Sequence, residues 1–313
     1  LRRKYYNISK QQGAAVIVAL FVMSLVAAAA VAMIVRAHID TRRTELLLNA
    51  DQATLYAQGS VNWAIDQLNR DWEQQKPSQL IDRTPIHSKT DHFNGYQVES
   101  TIEDMQAYFN INNLQAIEYQ DDFVRLLQTV NPQIETETAK EITLAVRDWI
   151  TPIIKNSGLD KYYTGLNPPY RAPHHLMVSI SELRLIKGIT PDLFNRLSPY
   201  VAALPDTTPI NFNSAPALVF MSLSATLTIE AANAIAVYRQ KSPFIELQKF
   251  LDFDIVKNNP IPPGKLTATS SYFLVKTNVT VGQQRIILYT LLVRTAQETK
   301  SRVAILWQTK GTL

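Results

Sequence analysis

Residues 14–35 read AAVIVALFVMSLVAAAAVAMIV, 22 positions in which Ser24 is the only polar side chain. As a helix rising about 1.5 Å per residue the stretch is about 33 Å long, which matches the hydrocarbon core of a bilayer. A helix on the outside of a soluble domain keeps one polar face, and this one has none over about six turns, so it reads as a membrane span. Arg2, Arg3, Lys4 and Lys10 precede it with no acid among them, whereas Arg36, Arg42 and Arg43 beyond it are partly offset by Asp40 and Glu45. That asymmetry predicts a single pass with the short N-terminal side in the cytoplasm and the bulk of the chain across the membrane. The run is also longer than the roughly 7–15 apolar residues of a cleaved secretory signal.

Past the membrane, Leu46, Ala50, Ala53, Ala57, Val61, Ala64 and Leu68 recur at intervals of three and four. This keeps one apolar stripe on a helix. No Pro lies between Ala14 and Asp71, and Gly59 is the only interior Gly. The simplest structure is one helix over 14–71, its first half in lipid and its second half packed on a globular domain.

The whole chain has 313 residues, 46% hydrophobic and 19% charged, with a net charge of +4 and no cysteine. Disulfides, thiolate metal sites and thiol nucleophiles are thereby excluded. No H-E-x-x-H, G-x-S-x-G, Walker A or Rossmann glycine pattern occurs, so no enzyme is expected. His174 and His175 are adjacent, which points their rings apart, and they read as an exposed loop pair. Asp121 and Asp122 stand at a helix start, where carboxylates satisfy free N–H groups.

Residues 96–102 alternate apolar and polar after Gly95, as the second strand of a hairpin. Asp104 to Leu114 reads DMQAYFNINNL. Residues 135–150 have helical spacing and end near Pro152. Residues 272–281, 285–294 and 302–309 are rich in β-branched residues and read as a three-stranded meander that closes the sheet begun near Tyr96. Lys and Arg exceed acids there, which suits an anionic partner or simply a solvated face.

Gln12-Gly13-Ala14 at the head of the apolar run resembles the processing site of type IV prepilin-like proteins. The D-M-Q-A-Y-F-N-I-N-N-L run is similar to a motif of the minor pseudopilin K family (GspK) of type II secretion systems, with Ala107 where a glycine is usual, and the resemblance implies that the run is a strand. Residues 167–171, 179–188, 203–205 and 211–215 follow in that family's order. The resemblance implies cleavage between Gly13 and Ala14 by a prepilin peptidase and N-methylation of Ala14. It also draws attention to Val18, the fifth mature position, where most prepilins carry a glutamate that pairs with a neighbour's amine. A subunit without that acid needs no predecessor, which implies a place at the tip of the periplasmic pseudopilus.

The implied fold is α+β: a long N-terminal transmembrane and amphipathic helix packed on an antiparallel, pilin-like sheet, with a large inserted all-α domain. The expected divisions are a leader at 1–13, a membrane helix at 14–35, pilin-like parts at 36–118 and 261–313, and a helical insertion at 119–260. The implied partners are GspI, GspJ and GspH, with the inner membrane as anchor and secreted proteins or the outer-membrane secretin within reach of the tip. Some relatives hold calcium near a D-W-[IL]-D-x-D run. Here the run is Asp148-Trp149-Ile150-Thr151-Pro152-Ile153, which has lost two of three acids, and neither metal nor other cofactor is expected.

Residues 211–251 also resemble a helix-hairpin-helix module, which raises the alternative of a membrane-anchored DNA-binding protein. The hairpin at 224–228 lacks glycine, and residues 174–255 hold six Lys and Arg against seven Asp and Glu. A nucleic-acid face should be basic, so nucleic acid is not the expected partner.

Overall fold

The computed structural model describes residues 12–74, 85–88, 90–93, 95–152, 159–282, 284–297 and 300–311. The leader cations Arg2, Arg3, Lys4 and Lys10, and Ile153 of the degraded acidic run, lie outside the described residues. Two compact units divide the chain, residues 1–55 and 56–313.

The described residues of the first unit, 12–55, are all helix. Helix α1 is Gln12–Gln74, unbroken because no proline interrupts it and its apolar half is rich in Ala, the strongest helix former. It holds an 18-residue window of mean hydropathy 2.8, long and apolar enough to cross a membrane. Ala14 to Val35 are exposed all round, as expected of a surface meant for lipid or other helices.

The second unit begins with the rest of α1. Ala57, Val61, Ala64 and Leu68 are buried, whereas Leu46, expected on the same stripe, is 42% exposed. The buried stripe covers one face of a six-stranded antiparallel sheet. Tyr56 packs on Tyr96 at 4.8 Å between ring centroids, and the Trp72 ring stacks 4.9 Å from the Arg294 guanidinium.

The chain then runs through β1 (Ile86–His87), β2 (Asp91–Phe93), β3 (Tyr96–Asp104), β4 (Phe109–Asn110), α2 (Gln120–Val130), α3 (Thr136–Ile150) and α4 (Asp160–Thr164). It continues with α5 (Pro191–Leu197), β5 (Val201–Ala202), β6 (Ile210–Asn211), α6 (Ala217–Leu223), α7 (Ile229–Lys241), α8 (Leu247–Leu251) and α9 (Asp254–Asn258). Last come β7 (Leu266–Thr267), β8 (Tyr272–Val281), β9 (Gln284–Gln297) and β10 (Lys300–Lys310). The sheet order is β1-β3-β8-β9-β10, with β2 also paired to β3, so the central pair β3 and β8 is formed by strands 169 residues apart at the Asp104↔Phe273 end and 185 apart at the Tyr96↔Val281 end. All the helices after α1 lie between these two strands in sequence.

The helical part has its own core, with Phe109, Phe123, Leu126, Phe212, Phe220 and Phe250 fully buried. Phe212 and Phe250 stack at 4.6 Å. Local rules explain its elements: Thr190 Oγ1 accepts the Leu193 N–H with Pro191 at the first helical position, and Ser179 with Glu182 forms a capping box. Gly188 turns the chain at φ +89°, and a Cβ there would meet Ile142 Cγ1 at 2.8 Å. Gly188→Ala is therefore expected to cost about 3 kcal/mol from left-handed backbone and overpacking together, measured by denaturant unfolding of the purified chain.

One local expectation fails. Residues 104–114 are mostly 3₁₀ turns (105–107 and 111–115) around the two-residue strand β4, because the Asp104 and Asn110 side chains accept N–H groups two residues on and bend the chain.

Candidate functional site

Gly13, Ala14 and Val18 lie in the first turns of α1, and all three are exposed. Ala14 and Val18 are four apart and share one face of the helix. A carboxylate at position 18 would therefore sit one turn from an amine at position 14. Val18 puts an apolar side chain, 61% exposed, where that charge would be.

The Asp104 to Leu114 run forms the junction between the sheet and the helices. Asp104, 1% exposed at the end of β3, accepts through Oδ2 from Asn211 Nδ2 (2.8 Å), Ser214 Oγ (2.8 Å) and Ser270 Oγ (2.7 Å), and through Oδ1 from the Gln106 N–H (2.8 Å). The three asparagines after it act as backbone surrogates. Asn110 Nδ2 donates to Asp206 C=O (2.8 Å), and its Oδ1 accepts from the Leu204 N–H (3.1 Å). Asn112 Nδ2 donates to the carbonyls of Met177 (2.9 Å) and Leu204 (2.8 Å), while its Oδ1 accepts from the Met177 N–H (2.9 Å). Asn113 exchanges both bonds with the backbone of Thr208 (2.8 and 3.0 Å). Buried loops are thus supplied with partners that a ladder would otherwise give.

Nearby, the Tyr272 hydroxyl donates to Asp206, and its pKa is pushed up by burial and then by that bond and charge.

Asp122 is not the helix cap the sequence suggested. It is 1% exposed and receives Lys265 Nζ (2.6 Å) and the Arg125 guanidinium, and Lys265 also donates to Glu118 C=O (2.7 Å). Burial raises its pKa, against the opposing pull of Lys265 and Arg125. The cluster fastens α2 to the 263–265 turn.

His174 is likewise not a free loop residue. It adopts φ +51°, its side chain is 7% exposed, Nδ1 lies 3.1 Å from Asp148 C=O and Nε2 lies 3.0 Å from Asp160 Oδ1. Both partners only accept, so the geometry matches a ring with two N–H groups, the imidazolium. Burial opposes that charge, and the Asp160 hydrogen bond and charge, with Asp148 behind them, raise the pKa above its ordinary value. A raised folded pKa gives stabilisation that is fully present below about pH 6.5 and is lost as pH rises through the folded value. Thermal melting across that range is expected to show this loss, and His174→Gln to flatten it. His175 stays exposed, as expected.

The same geometry argues against calcium. Asp160 Oδ1 is engaged by the His174 ring at 3.0 Å, and one buried oxygen of Asp148 without a hydrogen-bond partner offers one ligand where calcium takes six to eight. Among the described residues, no group of three or more His, Asp or Glu side chains is placed to hold a metal ion.

The helix-hairpin-helix segment is formed by α6 and α7 joined through 224–228. The N-terminus of α7 is already occupied: Thr228 Oγ1 accepts from the Ala231 N–H, and the Glu230 carboxylate has its pKa lowered by its own backbone N–H and the Thr228 hydroxyl. Arg239 turns inward, donating to the carbonyls of Phe212 (2.7 Å) and Ala215 (2.5 Å), and burial pushes it down to about 10. A phosphate would meet a carboxylate where such modules present free N–H groups.

Residues 107–206 match the family model for the type II secretion system (T2SS), protein K. The type II secretion system protein K of Pectobacterium carotovorum subsp. carotovorum is 32% identical over 302 residues, covering 88% of this chain and 90% of the relative. The protein of the same name from Aeromonas hydrophila is 28% identical over 322 residues, covering 91% and 93%. Among solved structures, a chain of the GspK-GspI-GspJ complex from enterotoxigenic Escherichia coli superposes with a TM-score of 0.69 at 21% identity, over 87% of this chain and 100% of that one.

Proposed function

The chain belongs to the type II secretion system protein K family, and from that premise we propose that it is a minor pseudopilin standing at the tip of the periplasmic pseudopilus, supporting export of folded proteins across the outer membrane. In this reading a prepilin peptidase cuts between Gly13 and Ala14, Ala14 is N-methylated, and the membrane helix stays in the inner membrane until assembly, with the bulk of the chain in the periplasm. The role is assembly rather than catalysis.

The observation that carries the reading is Val18. An ionised side chain at the centre of a bilayer costs about 2.5 kcal/mol or more unless it is paired. A subunit added beneath an earlier one uses its own acid to neutralise that subunit's terminal amine. Val18 cannot do so, and the first subunit has no amine to neutralise. The small residues Ala27 to Ala30 let neighbouring helices approach closely. The helical part between β3 and β8 adds bulk that would obstruct a subunit stacked above.

The solved complex that this chain resembles contains GspI and GspJ. We assign the same two partners to this chain, with GspH beside them, and with secreted proteins or the outer-membrane secretin as what the tip meets. The helix-hairpin-helix shape keeps a DNA-binding alternative open to assay, and the occupied α7 N-terminus speaks against it.

The test is the N-terminal mass of the protein from membranes of cells with and without their prepilin peptidase. A methylated Ala14 start that disappears without the peptidase is the expected result. A chain that retains the residues before Ala14 in both strains would end the pseudopilin reading.

A further inference from the structure

Strand β10 closes one side of the sheet, and among the described residues no strand pairs with its outer edge. Proteins usually blunt such an edge, because its unpaired backbone groups invite another chain. Here the middle of the edge is apolar and open, with Ile305 47% and Leu306 44% exposed. The register with β9 slips between Ile305 and Trp307, a bulge of the kind that re-aims side chains. Leu306 and Trp307 line an apolar groove of about 250 Å³, which they share with Leu291 and, from the helical part, Met177, Val178 and Pro205. Its helical wall is fixed in advance, since Asn112 bonds both the N–H and the C=O of Met177.

Charge says what fits. β10 has Lys300, Arg302 and Lys310 with no acid. Arg302 and Lys310 are exposed on either side of the apolar stretch. A second copy of this edge would bring like charges together.

We infer that β10 and the adjoining groove receive an extended acidic segment of a partner protein, which adds as a strand to the open edge and seats one bulky apolar side chain in the groove. Main-chain bonds would supply affinity, and the groove and the flanking cations specificity. The inference does not depend on the tip position.

The test uses the full chain in nanodiscs of zwitterionic lipid and two capped decapeptides, one alternating Glu and Val with a central Leu, the other with Lys for Glu. The acidic peptide is expected to bind about tenfold more tightly than the basic one, to weaken with salt, and to slow amide exchange over residues 302–309. Leu306→Glu, and separately Arg302→Glu with Lys310→Glu, are expected to weaken it about tenfold, with melting curves showing that each variant still folds. Absence of binding, equal binding of the two peptides, or binding indifferent to both variants would overturn the inference. So would anionic phosphatidylglycerol vesicles binding with the same dependence on Arg302 and Lys310 while the acidic peptide does not, since the cations would then serve a lipid surface.

Discussion

Replacing Gly13 with leucine is expected to leave the chain uncut and to stop secretion through its system. In the proposed processing the peptidase must accept the residue at the head of the apolar run, and a bulky side chain fills the place of a hydrogen. The consequence for assembly is electrostatic. An uncut chain keeps Arg2, Arg3, Lys4 and Lys10 on the far side of the membrane helix. Drawing cations through the bilayer centre costs about 2.5–3.5 kcal/mol each on the most lenient scale, about 10–14 kcal/mol for the four. That is enough to hold the helix in the membrane and out of a fibre. Gly59 is the control: it is exposed in the same helix, a Cβ there meets nothing within 4 Å, and Gly59→Ala is expected to leave processing and secretion unchanged. The mass of the membrane-extracted chain and the amount of exported protein outside the cell check both halves.

Asp104→Ala is expected to have the largest effect on folding. The carboxylate is 1% exposed and holds four donors, from Gln106, Asn211, Ser214 and Ser270, that reach up to 166 residues along the chain. Truncation leaves those donors buried without this acceptor. Each unsatisfied group costs about 1–3 kcal/mol, and because they share one hub the costs do not simply add, so a total of about 4 kcal/mol is expected. In a unit of this size that lowers the melting temperature by about 10 °C. Asp104→Asn keeps the shape and one acceptor oxygen and is expected to lose about half as much. An unchanged melting temperature for Asp104→Ala would remove the junction from the account.

How much of this was legible follows from the range of the forces involved. The membrane helix, the buried stripe at Ala57 to Leu68 and the meander of β8 to β10 were readable because local periodicity determines them. The run from Asp104 to Leu114 was readable as a motif but misread as a strand. Its side chains bond their own backbone two residues on, and its distant partners, at Met177, Leu204, Thr208, Asn211 and Ser270, are invisible to any window. Asp122 was read as a cap because its position in the first turn of α2 is local, whereas its burial under Lys265 is tertiary. His174 was judged against its neighbour His175, and the partners that matter come from Asp148 and Asp160. The missing acid at Val18 needed no structure, since it is an identity at a counted position in a helix.

The proposed tip position is tested by where the chain sits in an isolated fibre. The protein has no cysteine, so Ile117→Cys, at a residue 77% exposed in the helical part, gives one attachment point for a gold or fluorescent label. Pseudopili assembled with the labelled chain are predicted to carry a single label at one end only. Labels distributed along the fibre would contradict the account, because a subunit with Val18 would then be stacking beneath others without the acid that such stacking requires.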